Sequence, residues 1–249
     1  GHVVEKAAGT CGDALAAPEA IGDYAARRAL SRLGAKKIRT CKVPVLFEAP
    51  LAASLIGSFV HAVSGGALYR KSSFLLDSLG QQIFPAHVSM AERPHLPRGL
   101  ASAAFDNDGV ATREREVVAD GVLQGYFLSV YTARKLGLTT TGNAGGCHNL
   151  IVRPGADDLA GLIRRMGRGV LVTELLGHGI NYVTGDYSRG AAGYWVENGE
   201  IQHPVEEITI AGNLRDMFRN LVAVGNDVVC RGSKQVGSLL IDGLQVAGN

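Results

Sequence analysis

The sequence is poor in the features that usually assign a function. Only 19% of its 249 residues are charged, and the formal net charge is +2. So neutral a balance gives no electrostatic reason to expect a nucleic acid partner. No apolar run reaches the roughly 20 residues that a membrane-spanning helix needs, so no membrane partner is expected. The four cysteines, Cys11, Cys41, Cys147 and Cys230, are scattered and form no CxxC pair. That excludes a recognisable disulfide framework and fits reduced thiols in the cytoplasm. The first twenty residues, GHVVEKAAGTCGDALAAPEA, lack a start methionine and the charged-then-apolar build of a signal peptide. A fragment or a processed product is the expectation. No GxSxG elbow, Walker A loop, GxGxxG fingerprint or HExxH helix occurs.

What the chain does have is glycine, 33 residues of it, and 46% hydrophobic content. The length suits one large domain or two small ones, with enough chain to bury a core. Frequent glycine favours tight turns and argues against an all-helical bundle. There is no solenoid-type repeat. Residues 1–17 read as a linker or truncated terminus, and 18–249 as one domain.

Helical patterns open at Pro18, with Ile21, Tyr24, Ala25, Ala29, Leu30 and Leu33 as an apolar stripe stopped by Gly34. A second helix, LAASLIGSFVHAVSG, is expected to end at Gly65-Gly66, and GALYRKSSFLLDSLGQQIF to start extended. SVYTARKLGL, DDLAGLIRRMGRG and GNLRDMFRNLVAVGND also read as helices, the last two capped by an aspartate (Asp157 or Asp158) and by Asn213. Strands are expected at Val43 to Phe47, through FPAHVSMAERP, on both sides of the Asn107-Asp108-Gly109 and Asp120-Gly121 turns, from Val170 to the 210s, and in the closing GSLLIDGLQVAG. Asn198-Gly199 is the strongest hairpin signal. The class is α+β with a mixed, largely antiparallel sheet.

Three stretches invite a chemical reading. In LIGSFVHAVSGG, His61 has no second histidine three to five residues away and no adjacent glutamate, so it reads as a partly buried helix histidine with a satisfied hydrogen bond. In ELLGHGIN, Glu174 and His178 read as a structural hydrogen-bonded pair. In GGCHN, Cys147 and His148 are neighbours whose side chains point to opposite faces of a strand, which does not suit a nucleophile and its base. Cys230 reads as an ordinary loop or strand thiol. VTGDYSRGAAGYW is more open. It reads equally as an exposed edge strand or as a surface that holds an extended peptide by strand addition, since glycines on both sides permit close backbone approach.

Taken together, SGGALYRKSSFLLDSLGQQIF, RPHLPRGLASAAFDNDGVATR, TTGNAGGCHN, LVTELLGHGINYVTGDYSRGAAGYWVENGEI and PVEEITIAGNLRDMF resemble the C-terminal domain of the PmbA (TldE) side of the TldD/TldE family, also called modulators of DNA gyrase. The resemblance runs from about Pro18 to Asn249 and lacks the family's N-terminal domain. It implies a barrel- or sandwich-like α+β domain with packed helices. It also implies a cytoplasmic heterodimer in which a TldD-like partner holds zinc on an HExxxH helix with a cysteine ligand. That partner cleaves unfolded peptides, including modified-peptide precursors and an antitoxin. TldE-type chains would lack the metal and complete the peptide channel.

Counting back from Arg70 and Lys71, the partner's two histidines fall at Gly57 and Ala62 and its glutamate at Ser58. His61 is one residue, about 100°, out of register. Cys230 lies several residues from the cysteine ligand position. No catalytic residue, metal or cofactor is therefore expected in this chain, and zinc is expected in the partner. Asp186, Tyr187, Ser188, Arg189 and Trp195 are the expected peptide-facing residues. Two rival readings stand beside this one: a peptidase acting alone through Cys230, His178 or His148, and a non-enzymatic regulator of a protein such as gyrase. A homodimer of the isolated chain is a further expectation.

Overall fold

The computed structural model describes residues 16–248. Most of the expected linker, residues 1–15, and Asn249 lie outside the described residues. The elements are α1 (Pro18–Leu30), β1 (Cys41–Phe47), α2 (Ala49–Ala62), α3 (Gly65–Tyr69), β2 (Met90–Glu92), β3 (Arg115–Ala119), β4 (Val122–Leu123), α4 (Val130–Leu136), β5 (Leu150–Val152) and α5 (Leu159–Met166). They continue with β6 (Gly169–Leu176), β7 (Asp186–Glu197), β8 (Glu200–Asn213), α6 (Leu214–Arg219), β9 (Leu221–Val224), β10 (Lys234–Gln235) and β11 (Leu239–Ala247). The fold is α+β. Every strand pair is antiparallel except β1–β6 and β10–β5.

The first sheet closes on itself. β1 pairs with β6, β6 with β7, β7 with β8, β8 with β11, and β11 returns to β1. β9 takes the first half of β11 (Leu239 to Ile241) while β8 takes the second (Gln245 to Ala247). Pro44 sets a local irregularity in this ring. It has no N–H to give to a ladder, and opposite it β11 spends two residues, Asp242 and Gly243, between Ile241 and Leu244. Gly243 turns there with φ +70°, a conformation that suits glycine. The β7–β8 hairpin turns at Asn198 and Gly199, with φ of +54° and +74°, as the sequence predicts for a two-residue turn of this twist.

Side chains alternate across this sheet and so divide between two cores. Leu46, Leu171 and Leu240 face α5, where Leu162, Ile163 and Met166 cover them. Val45, Phe47, Val170, Val172, Leu239 and Ile241 face the larger core. The second sheet, ordered β10-β5-β2-β3-β4, adds Met90, Val118, Leu123, Leu150 and Val152 to that core. α2 serves both sheets: it packs on β6 and β10. Its Phe59 meets Phe84 edge-on at 5.2 Å and Phe218 of α6 at 6.1 Å.

Several elements differ from the sequence reading. The Asn107-Asp108-Gly109 turn is flanked by the single Phe105–Ala111 bridge instead of two strands, and FPAHVSMAERP is strand only at Met90–Glu92. α2 stops at Ala62, because Val63 and Gly65 exchange backbone hydrogen bonds with Phe127 instead of continuing the helix; Gly65 then opens α3, where an extended start was expected. α6 ends at Arg219, and Leu221–Val224 form a strand because β11 offers them a ladder. α1 buries none of its apolar stripe; Leu30 is 65% exposed and Leu33 68%. It is held by polar contacts instead. Arg28 grips Glu48 with two hydrogen bonds, 2.7 and 2.9 Å, and donates to the Thr173 carbonyl, while Arg32 pairs with Glu174. The Glu174–His178 pair is thus not formed, since Arg32 takes the carboxylate and His178 stays exposed.

The second sheet carries a buried charge. Glu92 of β2 is 1% exposed. One of its oxygens accepts from Arg115 Nε at 2.7 Å; the other accepts from Asn143 Nδ2 and the His148 N–H, each at 2.7 Å. Arg115 also donates to Asn143 Oδ1 and lies 4.9 Å over the Phe127 ring. This cluster fixes the glycine-rich loop of residues 142–149 against the sheet.

Two outcomes follow from these ladders and charges. A chain truncated before Leu239 leaves β1, β8 and β9 with open edges and is expected to lose its cooperative thermal transition, read by circular dichroism. Glu92→Gln turns an amide donor toward Arg115 and leaves that cation buried without its counter-charge. A loss of about 3–5 kcal/mol is expected in denaturant unfolding, and a change below 1 kcal/mol would contradict this account.

Candidate functional site

The face of α2 that the core leaves uncovered carries Gly57 and His61, with Tyr182 and the 229–234 segment beside it. Ala52, Leu55, Ile56 and Phe59 point into the core at helical spacing, which leaves Ala53, Ser54, Gly57 and His61 on the outer side. Gly57 is half-buried beneath Lys234, whose Cε would lie 3.5 Å from a Cβ at that position. Ser58 is buried and its hydroxyl donates to the Ser54 carbonyl at 3.3 Å. Ala62 is wholly buried, and its carbonyl accepts from the Ser73 hydroxyl at 2.6 Å.

His61 is exposed and not the hydrogen-bonded, partly buried histidine that the sequence predicts. Its ring lies tilted by 44° against Tyr182, from the loop between β6 and β7, with the centroids 4.1 Å apart. Partial desolvation by its surroundings, and then the charge of Arg70, hold its pKa below the usual imidazole value. Gly57, Ser58 and Ala62 offer a metal neither nitrogen nor carboxylate. Among the described residues no three His, Cys, Asp or Glu side chains come together as a metal site would require. The donors around α2 therefore do not fit a zinc ion.

The other sequence candidates are spread across the molecule. Burial pushes the Cys147 thiol up, and its Sγ lies 3.6 Å from the Ser233 hydroxyl. His148 points the other way, its ring nitrogens 3.3 Å from the Ala101 carbonyl and 3.1 Å from that of Gly142. The two do not meet as nucleophile and base. Cys230 is exposed on the segment between β9 and β10.

The 186–189 stretch is not the free edge that strand addition needs. On one side it pairs with Ile210 to Asn213 of β8. On the other, Ser188 N–H donates to the Gly179 carbonyl at 2.7 Å, and Asn181 N–H to the Asp186 carbonyl at 2.9 Å. The chain between β6 and β7 folds back and uses those backbone groups, which no local pattern revealed. Asp186 and Ser188 keep exposed side chains, whereas Tyr187 is 2% exposed and points into the core. Burial pushes its phenol up to about 12. The neighbouring Arg189 guanidinium pulls the other way, although among the described residues neither the Tyr187 hydroxyl nor Arg189 Nε meets a partner at good hydrogen-bond geometry. Trp195 lies roughly 30 Å along β7 from Asp186. Its Nε1 donates to Glu197, and Arg168 covers its ring at 5.4 Å.

Sequence reasoning missed three polar arrangements. One is the Glu92 cluster, signalled by a carboxylate in the alternating MAERP strand. Another is Asp106, whose carboxylate accepts three backbone N–H groups, from Asp108, Val110 and Ala144, each at 2.9 Å. Burial works against its charged form, but these bonds and the nearby His148 hold its pKa below the usual value. The third is Asp227, which takes both the N–H and the hydroxyl of Ser238, at 2.8 and 2.6 Å. It thereby closes the base of the loop that carries Cys230 and leads to Lys234.

Comparison with known proteins agrees with this architecture. The profile of the PmbA/TldA metallopeptidase C-terminal domain matches residues 40–248. The chain is 53% identical over 234 residues to the metalloprotease PmbA of Escherichia coli O157:H7, covering 94% of this chain and 52% of that protein. It is 52% identical over 238 residues to the PmbA homolog of Haemophilus influenzae, covering 95% and 53%. A solved structure from Bacteroides thetaiotaomicron, a candidate modulator of DNA gyrase, superimposes with a TM-score of 0.91 at 34% identity, over 97% of this chain and 55% of that one. TldE from Thermococcus kodakarensis shares the fold, with a TM-score of 0.80 at 23% identity over 92% and 55%. The chain spans about half the length of the curated relatives it matches. It belongs to the PmbA/TldD metallopeptidase family and carries that family's C-terminal domain.

Proposed function

We propose that this chain, with residues 18–249 as its domain, is a metal-free TldE/PmbA-type subunit of a zinc-dependent peptidase. Its TldD-like partner would supply the zinc and the chemistry, in the cytoplasm, and the pair would cleave unfolded peptides. The observation that carries the reading is the chemistry of α2. By register with Arg70 and Lys71, the three functional positions of the partner's helix are Gly57, Ser58 and Ala62 here. Ser58 and Ala62 face the core and Gly57 lies under Lys234. The helix persists as a packing element between two sheets and offers neither ligand nor base. Asp186 and Ser188 remain the exposed members of the expected peptide-facing set.

A peptidase acting alone through Cys230, His178 or His148 gains no support from the separation of these groups. The test is co-expression with the TldD-like protein of the same source, followed by size analysis, zinc content and peptide cleavage. We expect a mixed assembly, zinc bound only when the partner is present, and cleavage that a chelator abolishes. One tightly bound zinc per isolated chain, or cleavage by the chain alone, would sink the proposal. Capture of gyrase without a TldD-like protein would favour a regulatory role instead.

A further inference from the structure

We propose that the groove between α2 and residues 229–234 binds a peptide carboxylate, with Lys234 recognising its charge. The inference rests on the peptide-handling role above and names the chemistry of one subsite within it. The groove encloses about 300 Å³, the small end of the range for ligand pockets. The first turns of α2 form one wall through Pro50 and Ala53; Val229, Arg231, Ser233 and Lys234 form the other. Among the described residues no carboxylate lines it. The Lys234 ammonium and the Ser233 hydroxyl therefore stand beside the apolar surface of Pro50, Ala53 and Val229. That combination suits an extended peptide presenting a carboxylate next to an apolar side chain. A bare inorganic anion would use the donors and leave the apolar wall wet.

Lys234 is held in place from two directions. Its backbone lies in the parallel ladder with Leu150 of β5. Its stem crosses α2 at Gly57, where the missing side chain leaves a channel for it. The ammonium reaches only a neutral partner within hydrogen-bond range, the Ser233 hydroxyl at 3.4 Å, and among the described residues it forms no ion pair. Arg28, Arg32, Lys37, Arg93, Arg115, Arg165 and Arg168 each have a carboxylate. A half-buried cation positioned over a groove without a counter-charge gives an incoming carboxylate a charge-assisted hydrogen bond, strengthened by the reduced dielectric there.

The position of Gly57 sharpens the point. Any side chain longer than alanine at residue 57 would compete with the Lys234 stem for the same space. The glycine and the lysine are thus one arrangement, and the ammonium depends on the absence at residue 57 for its place in the groove.

The test uses the whole chain and three N-terminally labelled five-residue peptides of alanine and leucine: the free acid, the carboxamide, and the carboxamide with glutamate as its last residue. Fluorescence anisotropy is expected to show the free acid, the glutamate peptide or both binding roughly tenfold tighter than the plain amide. The two carboxylate arms distinguish a chain terminus from an acidic side chain. Lys234→Met keeps the stem over Gly57 and removes the charge. Ser54→Leu fills the groove from the exposed side of α2. Each is expected to erase the preference while the melting midpoint stays in place. Equal affinity for all three peptides overturns the carboxylate subsite and leaves the peptide-handling role standing. A preference that survives both substitutions also overturns the subsite, and failure of any peptide to bind overturns both.

Discussion

The structure depends on one strand having two neighbours on one edge and a third on the other. β11, nearly the last residues of the chain, pairs along its length with β1, the first strand, and on its other edge with β9 and then β8. This closes the ring of the first sheet and brings the two ends of the domain into one ladder. Its hydrogen bonds satisfy three strands that would otherwise present unpaired backbone, an arrangement that folded proteins avoid. Closure comes with irregular pairing, at Pro44, which cannot donate and which Asp242-Gly243 bulge to pass, and again within the β6–β7 and β7–β8 ladders.

Closure also determines what α2 can be. The helix starts directly after β1, with only Glu48 between them, and that residue is tied to β6 by its N–H and to α1 through Arg28. From that anchor α2 runs between the two sheets with Phe59 in their shared aromatic cluster. Its inner face is committed to packing. Only the outer face, from Ala53 through Gly57 to His61, is left for chemistry, and it meets the 229–234 segment and the Tyr182 loop. The polar latches at Glu92 and Asp227 secure the loops that border this face. Glu92 is buried and Asp227 half-buried, and each is bonded by neighbouring donors, so each acts as a structural fixture and not as a reactive group.

Much of the architecture was legible from local signals. Asn198-Gly199 as a hairpin, Gly137 and Gly167 as helix stops, and Asp158 and Asn213 as caps all act through backbone conformation or hydrogen bonds within a few residues, so the sequence carries them directly. The elements misread are those whose backbone partners lie far away in the chain. Phe127 ends α2, and β11 draws Leu221–Val224 into a strand. The candidate site was less legible because its contacts follow from how the chain folds back and not from residue pattern. The 186–189 stretch has the composition of an exposed strand, yet Gly179 and Asn181 occupy its second edge. Glu174 is four residues from His178 but pairs with Arg32 of α1, 142 residues away. Lys234 carried no signal, because its importance comes from the groove it borders.

By itself the sequence determined the class of the fold, most of its turns and caps, and the residue types that α2 presents. Those properties depend on residue type and short-range spacing, and Gly57, Ser58 and Ala62 carry no imidazole, thiolate or carboxylate in any conformation. Tertiary structure alone decided which backbone edges stay free, which charges find partners, and which cation is left over a groove. These depend on contacts that no local pattern encodes, where closing the sheet and burying the core select the neighbours.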